Sequence, residues 1–462
     1  MTSLPFSTLP LSRATLDNLD TLGYQAMTPV QAQALPQVLE GRDLIVQAKT
    51  GSGKTAAFGL GIVHRLDPAL FVIQALVLCP TRELAEQVAQ ELRRLARALG
   101  NIKIVTLCGG SPIRPQAESL KFGAHIAVGT PGRLMDHIER KTVDLSAVHT
   151  LVLDEADRML DMGFYDDVAK IVKACPAKRQ TLLFSATYAD DIRKASARFL
   201  SKPAEIKMES VHDASRIEQR FYEIDADRRH ALVAQLLEHF RPESTLAFCN
   251  TKAQCRELSE YLEARGFSAL ALHGDLEQRD REDVLVQFAN RSCSVLVATD
   301  VAARGLDIDG LDAVINVEIT PDPEVHIHRI GRTGRGEEKG LAVSLCAPHE
   351  IRWANQIEQY QGQAIVWANP KALKPAPGGR LRAPMVTLCI QGGKKDKLRP
   401  GDILGALTKD AGFAGNQIGK INIFEFVSFV ALERSIAKQA FARLSAGNIK
   451  GRRFKMRFMA EV

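Results

Sequence analysis

Short apolar runs alternate with amphipathic stretches along most of the chain, and this alternation restricts the possible fold more than any other feature. Six runs rich in Val, Ile and Leu lie at residues 44–48, 75–81, 102–107, 125–130, 150–157 and 181–187. Five more lie at residues 246–251, 269–275, 295–300, 313–319 and 341–347. Between them, segments such as RELAEQVAQELRRLARAL place apolar residues at three- and four-residue spacing, which is typical of helices. Strands that alternate with helices favour parallel sheets covered on both faces.

The two series of runs predict two α/β domains in succession, followed by a smaller third domain. We predict domains at residues 1–208, 218–368 and 384–462. Residues near 205–220 lack a strong core pattern, so we expect them to link the first two domains. The Pro-, Gly- and Lys/Arg-containing segment 369–383 is predicted to be an extended linker before the third domain.

Charge is distributed unevenly along the 462 residues, whose net charge is +6. From Pro370 onward there are 18 Lys and Arg against 6 Asp and Glu, whereas the preceding residues carry 42 against 48. A basic appendage on an acidic body is typical of a protein that binds a polyanion. On charge alone, a solvated basic surface without a specific ligand is an equal alternative.

Cysteine usage and hydropathy indicate a cytoplasmic protein that does not enter a membrane. The eight cysteines are scattered singly, without a C-x-x-C pair, and are interpreted as reduced core thiols. No apolar stretch approaches the roughly 18 residues of a membrane span, and the start MTSLPFSTLPLSR does not have the pattern of a secretory signal. Nothing in the sequence indicates a coiled coil, so we expect a monomer.

The segment AKTGSGKT follows a predicted strand and precedes a predicted helix, which is the context of a phosphate-binding loop. Its glycines let backbone N–H groups surround phosphate oxygens, Lys54 supplies positive charge, and the Thr55 hydroxyl can bind magnesium. The loop has Ala48 where the strict motif has its first glycine. The predicted nucleotide-binding residues here are Ala48, Lys49, Thr50, Gly51, Ser52, Gly53, Lys54 and Thr55.

The carboxylates of the sequence DEAD follow the buried strand predicted at residues 150–157. At a strand end facing the phosphate loop, Asp154 is a suitable oxygen ligand for a magnesium ion that bridges the β- and γ-phosphates of a nucleotide. Glu155 is placed to orient and deprotonate an attacking water, whereas Asp157 is interpreted as structural. Taken alone, the cluster could instead be an acidic helix N-terminus.

Nine motifs, read in order, identify the family that the chain resembles. They are QAMTPVQ, AKTGSGKT, PTRELA, GG, TPGR, DEAD, SAT, ARGLD and HRIGRTGR. The chain is similar in this set to the DEAD-box RNA helicases, over residues 6 to about 350. The resemblance implies two tandem RecA-like domains that bind ATP and Mg²⁺, hydrolyse ATP in the presence of RNA, and separate RNA strands locally.

Further nucleotide contacts follow from the same resemblance. It implies that Gln31 hydrogen-bonds the adenine edge and that Phe6 stacks on the base; the alternative for Phe6 is a buried core aromatic. It also implies that Asp307 contacts the ribose. Arg332 and Arg335, three apart, are predicted to be arginine fingers that offset charge on the γ-phosphoryl group, so the catalytic residues are Lys54, Glu155 and these two arginines.

RNA contacts in both RecA-like domains are implied by the resemblance, and they suit phosphates and 2′-hydroxyl groups, which carry no base sequence. In the first domain these residues are Arg82, Gly110, Thr130, Gly132 and Arg133. In the second domain they are Thr251, Gly274, Gln278, Arg281 and Thr299.

The C-terminal segment has a β-α-β-β-α-β order and resembles an RRM-like α+β domain. Thr387 and Val427 stand where such domains often carry base-stacking aromatics, and only Phe429 remains, so recognition through loops is expected. The segment resembles a branch of the helicase family that binds a hairpin of large-subunit ribosomal RNA in pre-ribosomal particles during ribosome (50S) assembly. The candidate RNA-binding residues are Lys394, Lys395, Lys397, Arg399, Lys450, Arg452, Arg453, Lys455 and Arg457.

The sequence therefore predicts an ATP-dependent RNA helicase that is directed to ribosomal RNA by its C-terminal domain. Two alternatives stay open at this point. One is a clamp or assembly scaffold that uses ATP as a latch with little turnover, which would need neither Glu155 nor arginine fingers. The other is an enzyme that acts on DNA.

Overall fold

A computed structural model of the chain describes residues 4–48, 51–185, 198–208, 217–303, 310–334, 339–377 and 381–460. Four predicted site residues, Lys49, Thr50, Asp307 and Arg335, lie outside these described residues. The chain forms two compact units, one containing strands β1–β7 and the other containing strands β8–β18, whose bounds follow.

The first unit is a RecA-like domain built on a seven-stranded parallel sheet. Its strands β1 to β7 are Leu44–Gln47, Ala75–Leu78, Ile104–Leu107, Ile126–Gly129, Thr150–Asp154, Gln180–Ser185 and Ala204–Lys207. Its described helices α1 to α8 are Arg13–Thr21, Pro29–Leu39, Lys54–Arg65, Arg82–Leu95, Ile113–Leu120, Pro131–Glu139, Ala156–Asp161 and Tyr165–Ala174. The strand order β3-β4-β2-β5-β6-β1-β7 confirms the predicted α/β architecture.

The apolar runs form strands because both faces of the sheet are covered by helices. One core packs residues such as Val46, Val77 and Phe184 against the helices on one side. A second core packs Leu76 and Leu153 against the helices on the other side. Continuous apolar runs are therefore buried throughout, as expected for a parallel sheet.

The second unit begins with another RecA-like parallel sheet. Its strands β8 to β14 are Ile217–Glu223, Thr245–Cys249, Ala269–Leu272, Val295–Thr299, Ala313–Asn316, Gly340–Cys346 and Trp367–Ala368. Its described helices α9 to α14 are Arg229–Phe240, Lys252–Glu263, Gln278–Ala289, Asp300–Ala303, Pro323–Ile330 and Ile351–Gln361. The strand order is β10-β11-β9-β12-β13-β8-β14, and all neighbours are parallel.

The segment near 205–220, which we expect to link the first two domains, includes a strand at each of its ends. Residues 204–207 form β7, the last strand of the first sheet, and residues 217–223 form β8 in the second sheet. Both strands are only partly buried because they lie at or next to a sheet edge, so their sequences lack the continuous apolar run of a central strand. The domain boundaries themselves stay a prediction.

The C-terminal domain confirms the predicted β-α-β-β-α-β order. Its strands β15 to β18 are Met385–Ile390, Ile418–Ile423, Ser428–Glu433 and Met456–Phe458, in an antiparallel sheet of order β16-β17-β15-β18. Its helices α15 and α16 are Pro400–Gly405 and Ala437–Ala446, and a π-helical turn at Ala406–Asp410 follows α15. One face of the sheet packs on these helices through residues such as Leu388 and Val430.

The other face of the C-terminal sheet packs against the preceding RecA-like domain. Thr387 on β15 is hydrogen-bonded to Asn290 at 3.2 Å and to Ser292 at 2.6 Å, just beyond the end of α11. Phe429 is 4% exposed and packs with Val286 of α11. The single aromatic that remained for base stacking is therefore covered by protein in this structure, which agrees with the expectation of recognition through loops.

The segment 369–383 is not simply extended. Residues Pro370–Ala372 form a 3₁₀ turn, and the following backbone runs along α9, where His239 hydrogen-bonds the Lys374 carbonyl at 2.8 Å. Leu381 is buried in the core of the second RecA-like domain. This hydrogen bond and the buried Leu381 hold the Pro-rich segment against the second RecA-like domain, which the composition of the segment alone does not show.

The cysteines agree with the prediction of reduced core thiols. All eight are free, and seven are buried, while Cys108 is half-buried. No described helix has both the length and the apolar character needed to span a membrane.

Candidate nucleotide and RNA sites

Predicted nucleotide and RNA residues of the first domain share one edge of its sheet. Because all strands are parallel, their carboxyl ends meet there, which is where ligands of open α/β sheets bind. The phosphate loop follows β1 and Asp154 ends β5, with β6 between them. The predicted RNA residues follow β2, β3 and β4, which are adjacent in the other half of the sheet. The fold thus separates the two sets along a single edge.

The phosphate loop has the backbone conformation that its glycines allow. Gly51 and Gly53 have positive φ angles of 77° and 93°, and helix α3 begins directly afterwards at Lys54. The Lys54 side chain is buried, and its Nζ donates to the Ala48 carbonyl at 2.7 Å. The lysine charge is therefore held inside the loop, where phosphate oxygens would bind.

Gln31 is buried behind the phosphate loop and bonded to it. Its Nε2 donates to the Gly53 carbonyl at 3.1 Å, while its Oε1 accepts from the Thr28 N–H at 2.9 Å as part of a capping box of α2. The Thr28 hydroxyl donates to the Ser52 carbonyl at 2.8 Å. Helix α2 is thereby linked directly to the loop, and adenine recognition by Gln31 stays a prediction.

Phe6 lies in the core of the first domain. It is 4% exposed in a short 3₁₀ turn, Phe6–Thr8, and its ring meets the edge of Tyr24 at a centroid distance of 6.0 Å. This placement agrees with the alternative reading of Phe6 as a core aromatic. Its predicted stacking on adenine stays untested.

The carboxylates at the end of β5 are buried, and their charge is incompletely compensated. Burial raises the pKa of Asp154 to about 7; the Lys54 ammonium opposes this rise, and the Glu155 carboxylate adds to it. A buried carboxylate of this kind favours a bound cation, and Thr55 in the first turn of α3 offers a second oxygen. These oxygen donors fit Mg²⁺.

Glu155 adopts a left-handed backbone conformation with φ 52° and ψ 52°, directly before helix α7. Such conformations are costly for a residue with a side chain, and they cluster at functional sites. The carboxylate is buried, and its Oε2 lies 3.0 Å from Arg158 Nη1 in an ion pair that does not have the geometry of a hydrogen bond. A carboxylate retains several lone pairs, so it can also accept a hydrogen bond from a water molecule.

The predicted RNA residues of the first domain are brought together by loops that follow three adjacent strands. The Arg133 guanidinium donates to the Ser111 carbonyl at 2.9 Å and to Gln116 Oε1 at 3.0 Å. The guanidinium of Arg82 lies close against Gly109, so that a Cβ at that glycine would be 3.0 Å from it. Gly110 has a positive φ of 81°, whereas Thr130 and Gly132 lie at the start of α6.

The second domain repeats this arrangement. Thr251, Gly274 and Thr299 follow or end β9, β10 and β11, which are neighbours in the sheet. Thr251 caps α10, and its hydroxyl accepts the Gln254 N–H at 3.3 Å. Gln278 and Arg281 lie in the first turn of α11, where Arg281 donates to the Ala302 carbonyl at 2.7 Å. Their contact with RNA stays a prediction.

Arg332 lies two residues beyond the end of α13 and is 6% exposed. Its neighbour Arg329, which the sequence reasoning missed, is the centre of a buried network. The Arg329 guanidinium donates to both carboxylate oxygens of Asp300, at 2.7 and 2.6 Å, and to Asn250 Oδ1 at 3.0 Å. Arg329 is thus a structural member of the motif that also contains Arg332, and a fully buried arginine cannot be recognised from charge pattern alone.

The basic residues of the C-terminal domain lie in two loops that meet. Lys450 Nζ donates to the Lys397 carbonyl at 2.6 Å, and the Gln391 N–H donates to the Lys455 carbonyl at 2.8 Å. All of the predicted residues in these loops are exposed. We call this group the basic surface; its residues are Lys394, Lys395, Lys397, Arg399, Lys450, Arg452, Arg453 and Lys455. Arg457 lies apart from it, 3.9 Å from Asp283 of α11.

Comparisons with known proteins agree with this arrangement. Residues 28–195 match the family model for DEAD/DEAH box helicases, and residues 227–337 match the helicase conserved C-terminal domain. Residues 387–458 match the DbpA RNA binding domain. The ATP-dependent RNA helicase DbpA of Escherichia coli is 54% identical over 98% of this chain and 99% of its own length. The chain belongs to the DEAD-box family of ATP-dependent RNA helicases.

Other relatives match this helicase over part of its length. The DEAD-box ATP-dependent RNA helicase CshA of Geobacillus kaustophilus is 42% identical over 82% of this chain and 81% of its own. Among solved structures, S. cerevisiae Dbp5 bound to RNA and ADP BeF3 is 30% identical, with a TM-score of 0.73 over 79% of this chain and 96% of that one. The helicase is therefore an ATP-hydrolysing enzyme with an added DbpA-type RNA-binding domain.

One buried histidine of the helicase should make its second domain sensitive to acid. His326 is 1% exposed in α13, and neither ring nitrogen has a hydrogen-bond partner among the described residues. Burial, together with the nearby Arg329 charge, lowers its pKa to about 3. Because the unfolded chain binds this proton near pH 6.5, stability is retained above that pH and falls as the pH drops toward 3.

We expect a loss of about 2 kcal/mol from His326 between pH 6.5 and pH 5. Denaturant unfolding can be followed by tryptophan fluorescence, since both tryptophans, Trp353 and Trp367, lie in the second domain. A His326→Phe variant should lose this part of the pH dependence. An unchanged difference between pH 6.5 and pH 5 in the variant would contradict the assignment.

Proposed function

We propose that this helicase couples the hydrolysis of Mg²⁺-bound ATP to local separation of RNA base pairs, and that its basic surface directs it to a hairpin of large-subunit ribosomal RNA during 50S assembly. The observation that carries the proposal is that two basic loops of the C-terminal domain meet, while the sheet of this domain is covered by the second RecA-like domain. The hairpin and the pre-ribosomal particles follow from the resemblance of the C-terminal domain. We further propose a cytoplasmic monomer.

In the proposed nucleotide site, the phosphate loop holds the triphosphate through backbone N–H groups, and Lys54 offsets its charge. Asp154 and Thr55 would hold the magnesium ion, which would offset the negative charge of the triphosphate. Glu155 accepts a hydrogen bond from the attacking water and takes up the proton. Arg332 and Arg335 supply positive charge to the γ-phosphoryl group.

The proposed RNA path uses the same sheet edges. Residues after β2, β3 and β4 in the first domain, and after β9, β10 and β11 in the second, present hydroxyl, main-chain and guanidinium donors. Such donors bind phosphates and sugar hydroxyls without reading bases. Sequence preference must therefore come from elsewhere, which assigns it to the C-terminal domain.

A charge-matched pair of variants tests this division of labour. Lys394→Gln with Arg453→Gln removes two exposed charges from the basic surface, whereas Lys420→Gln with Lys438→Gln removes two exposed charges near the opposite end of the C-terminal sheet. We expect the first pair to weaken activation by a ribosomal RNA hairpin about 10- to 100-fold, because phosphate contacts are lost. Activation by unrelated RNA should change little in either variant.

The measurement is RNA-stimulated ATP hydrolysis over a range of RNA concentrations at fixed salt. If activation by the hairpin and activation by unrelated RNA fell equally, the basic surface would not be what selects the RNA. Equal losses in both double variants would mean that general charge, rather than this surface, supports binding.

A further inference from the structure

The second sheet has an incompletely paired strand near its edge. Strand β8 pairs with β13 along its whole length, from Ile217 to Glu223. On its other side, β14 pairs with only Phe221 and Tyr222. The part of β8 from Ile217 to Arg220 therefore has no strand beside it among the described residues.

The direction of the unpaired backbone groups can be read from the neighbouring hydrogen bonds. The Phe221 N–H points away from β13, because it donates to the Val366 carbonyl at 2.9 Å. In a strand, residues two apart direct their backbone groups to the same side. Ile217 and Gln219 thus present N–H and C=O groups to the open side, which is the pattern that allows another strand to pair.

A groove lies beside this open edge. It has a volume of about 370 Å³ and lies between β8 and residues 361–366, which follow α14. One of its lining residues, Val366, is 60% exposed, and the next residue along the chain, Trp367, is 45% exposed. Unpaired backbone groups and an exposed apolar side chain therefore occur at one place.

The charges of the groove fit a polypeptide better than RNA. Among the described residues, the one arginine or lysine that lines it is Arg220, whose guanidinium is paired with Glu218 and lies over the Phe240 ring at 5.2 Å. The other polar side chains of the lining, beyond this ion pair, are the amides Gln219, Gln361 and Gln363. A phosphate backbone would find no free cation there, whereas an uncharged extended peptide would match the groove in charge and in hydrogen bonding.

We propose that the open edge of β8 is a docking site for an extended, apolar-rich segment of a partner protein, which adds to the sheet as a further strand. Its backbone pairs with Ile217 and Gln219, and its apolar side chains contact Val366. The site is separate from the strand ends that carry the predicted ATP and RNA residues. It would let the helicase hold a protein partner without interrupting its catalytic cycle.

Selection with the full-length helicase tests this site. Phage-displayed random twelve-residue peptides are selected on the protein, and a synthetic copy of the enriched sequence is titrated by tryptophan fluorescence. We expect alternating apolar residues in the peptide and slower amide hydrogen exchange at Gln219. Val366→Asp should weaken binding at least tenfold, while the matched control Val72→Asp, which is also exposed but lies in the first domain, should not.

Gln219→Pro gives a second, independent variant, because it removes an N–H that points away from β13 and leaves the pairing of β8 with β13 intact. It should also weaken peptide binding tenfold. RNA-stimulated ATP hydrolysis should be unchanged in all three variants. Three results would overturn the proposal. The first is that no selected peptide slows hydrogen exchange in β8. The second is that Val366→Asp weakens the binding of single-stranded RNA as much as it weakens the binding of the peptide. The third is that the wild-type protein is a dimer that Gln219→Pro dissociates.

Discussion

Replacement of Glu155 by Gln should reduce RNA-stimulated ATP turnover by about 10²- to 10⁴-fold while ATP binding is retained. The physical reason lies in the buried carboxylate, which is ion-paired with Arg158 and stands on a strained backbone at a strand end. An amide of the same shape can still occupy this position, but it cannot take a proton from water. Lys54 and the phosphate loop are untouched, so the nucleotide should still bind.

Steady-state ATP hydrolysis with saturating RNA measures the turnover, and a fluorescent ATP analogue measures binding. Asp166→Asn is a matched control, because it removes an exposed acid from the first turn of α8 in the same domain. If Glu155→Gln kept near-normal turnover, the general-base role would be wrong. The reading of the protein as an ATP-operated latch, which needs no such base, would then gain support.

Replacement of Arg332 by Lys should lower turnover about 10³-fold, with a smaller effect on nucleotide binding. Lysine keeps the positive charge but loses the planar fork of donors that can bind two phosphate oxygens at once. Arg332 follows helix α13 and is nearly buried, so its side chain is held in a defined place. The loss is therefore expected in the chemical step rather than in folding.

Arg352→Lys is the control for this change, because Arg352 is exposed on α14 of the same domain. Tryptophan fluorescence should show unfolding midpoints close to the wild type for both variants. Turnover of Arg332→Lys within a few-fold of the wild type would exclude a finger role for this residue. A large fall in its unfolding midpoint would instead assign Arg332 to the structural network around Arg329.

The sheets of this protein could be predicted from sequence because their central strands are buried on both faces. Strand β5, for example, is buried at all five positions, and its three central residues are all apolar. Strand β8 shows the limit of this reasoning. It lies next to the sheet edge, and only Phe221 and Tyr222 of its seven residues are buried, so its sequence has no comparable run.

The candidate site also has residues that could be predicted from the sequence and residues that could not. Glycines, Lys54 and the acids after β5 were predictable because phosphate and metal binding require those residue types at fixed spacing. Contacts that depend on packing were not predictable: Gln31 is bonded to the phosphate loop, Phe6 lies in the core, and Arg329 holds Asp300 and Asn250 together. Each of these depends on elements that are distant in sequence.

The C-terminal domain combines both cases. The basic loops were evident from composition, but the covering of Thr387 and Phe429 by α11 depends on how one fold packs on another. That packing explains physically why the sheet needs no base-stacking aromatics. It leaves the loops as the surface available for RNA.

Above all, we propose that this helicase is an RNA-stimulated ATPase that prefers ribosomal RNA. The most direct test is ATP hydrolysis by the full chain with a fragment of large-subunit ribosomal RNA and with an unrelated RNA of equal length, at the same salt concentration. We predict that the ribosomal fragment activates at a concentration at least tenfold lower. Equal activation by the two RNAs would contradict the account.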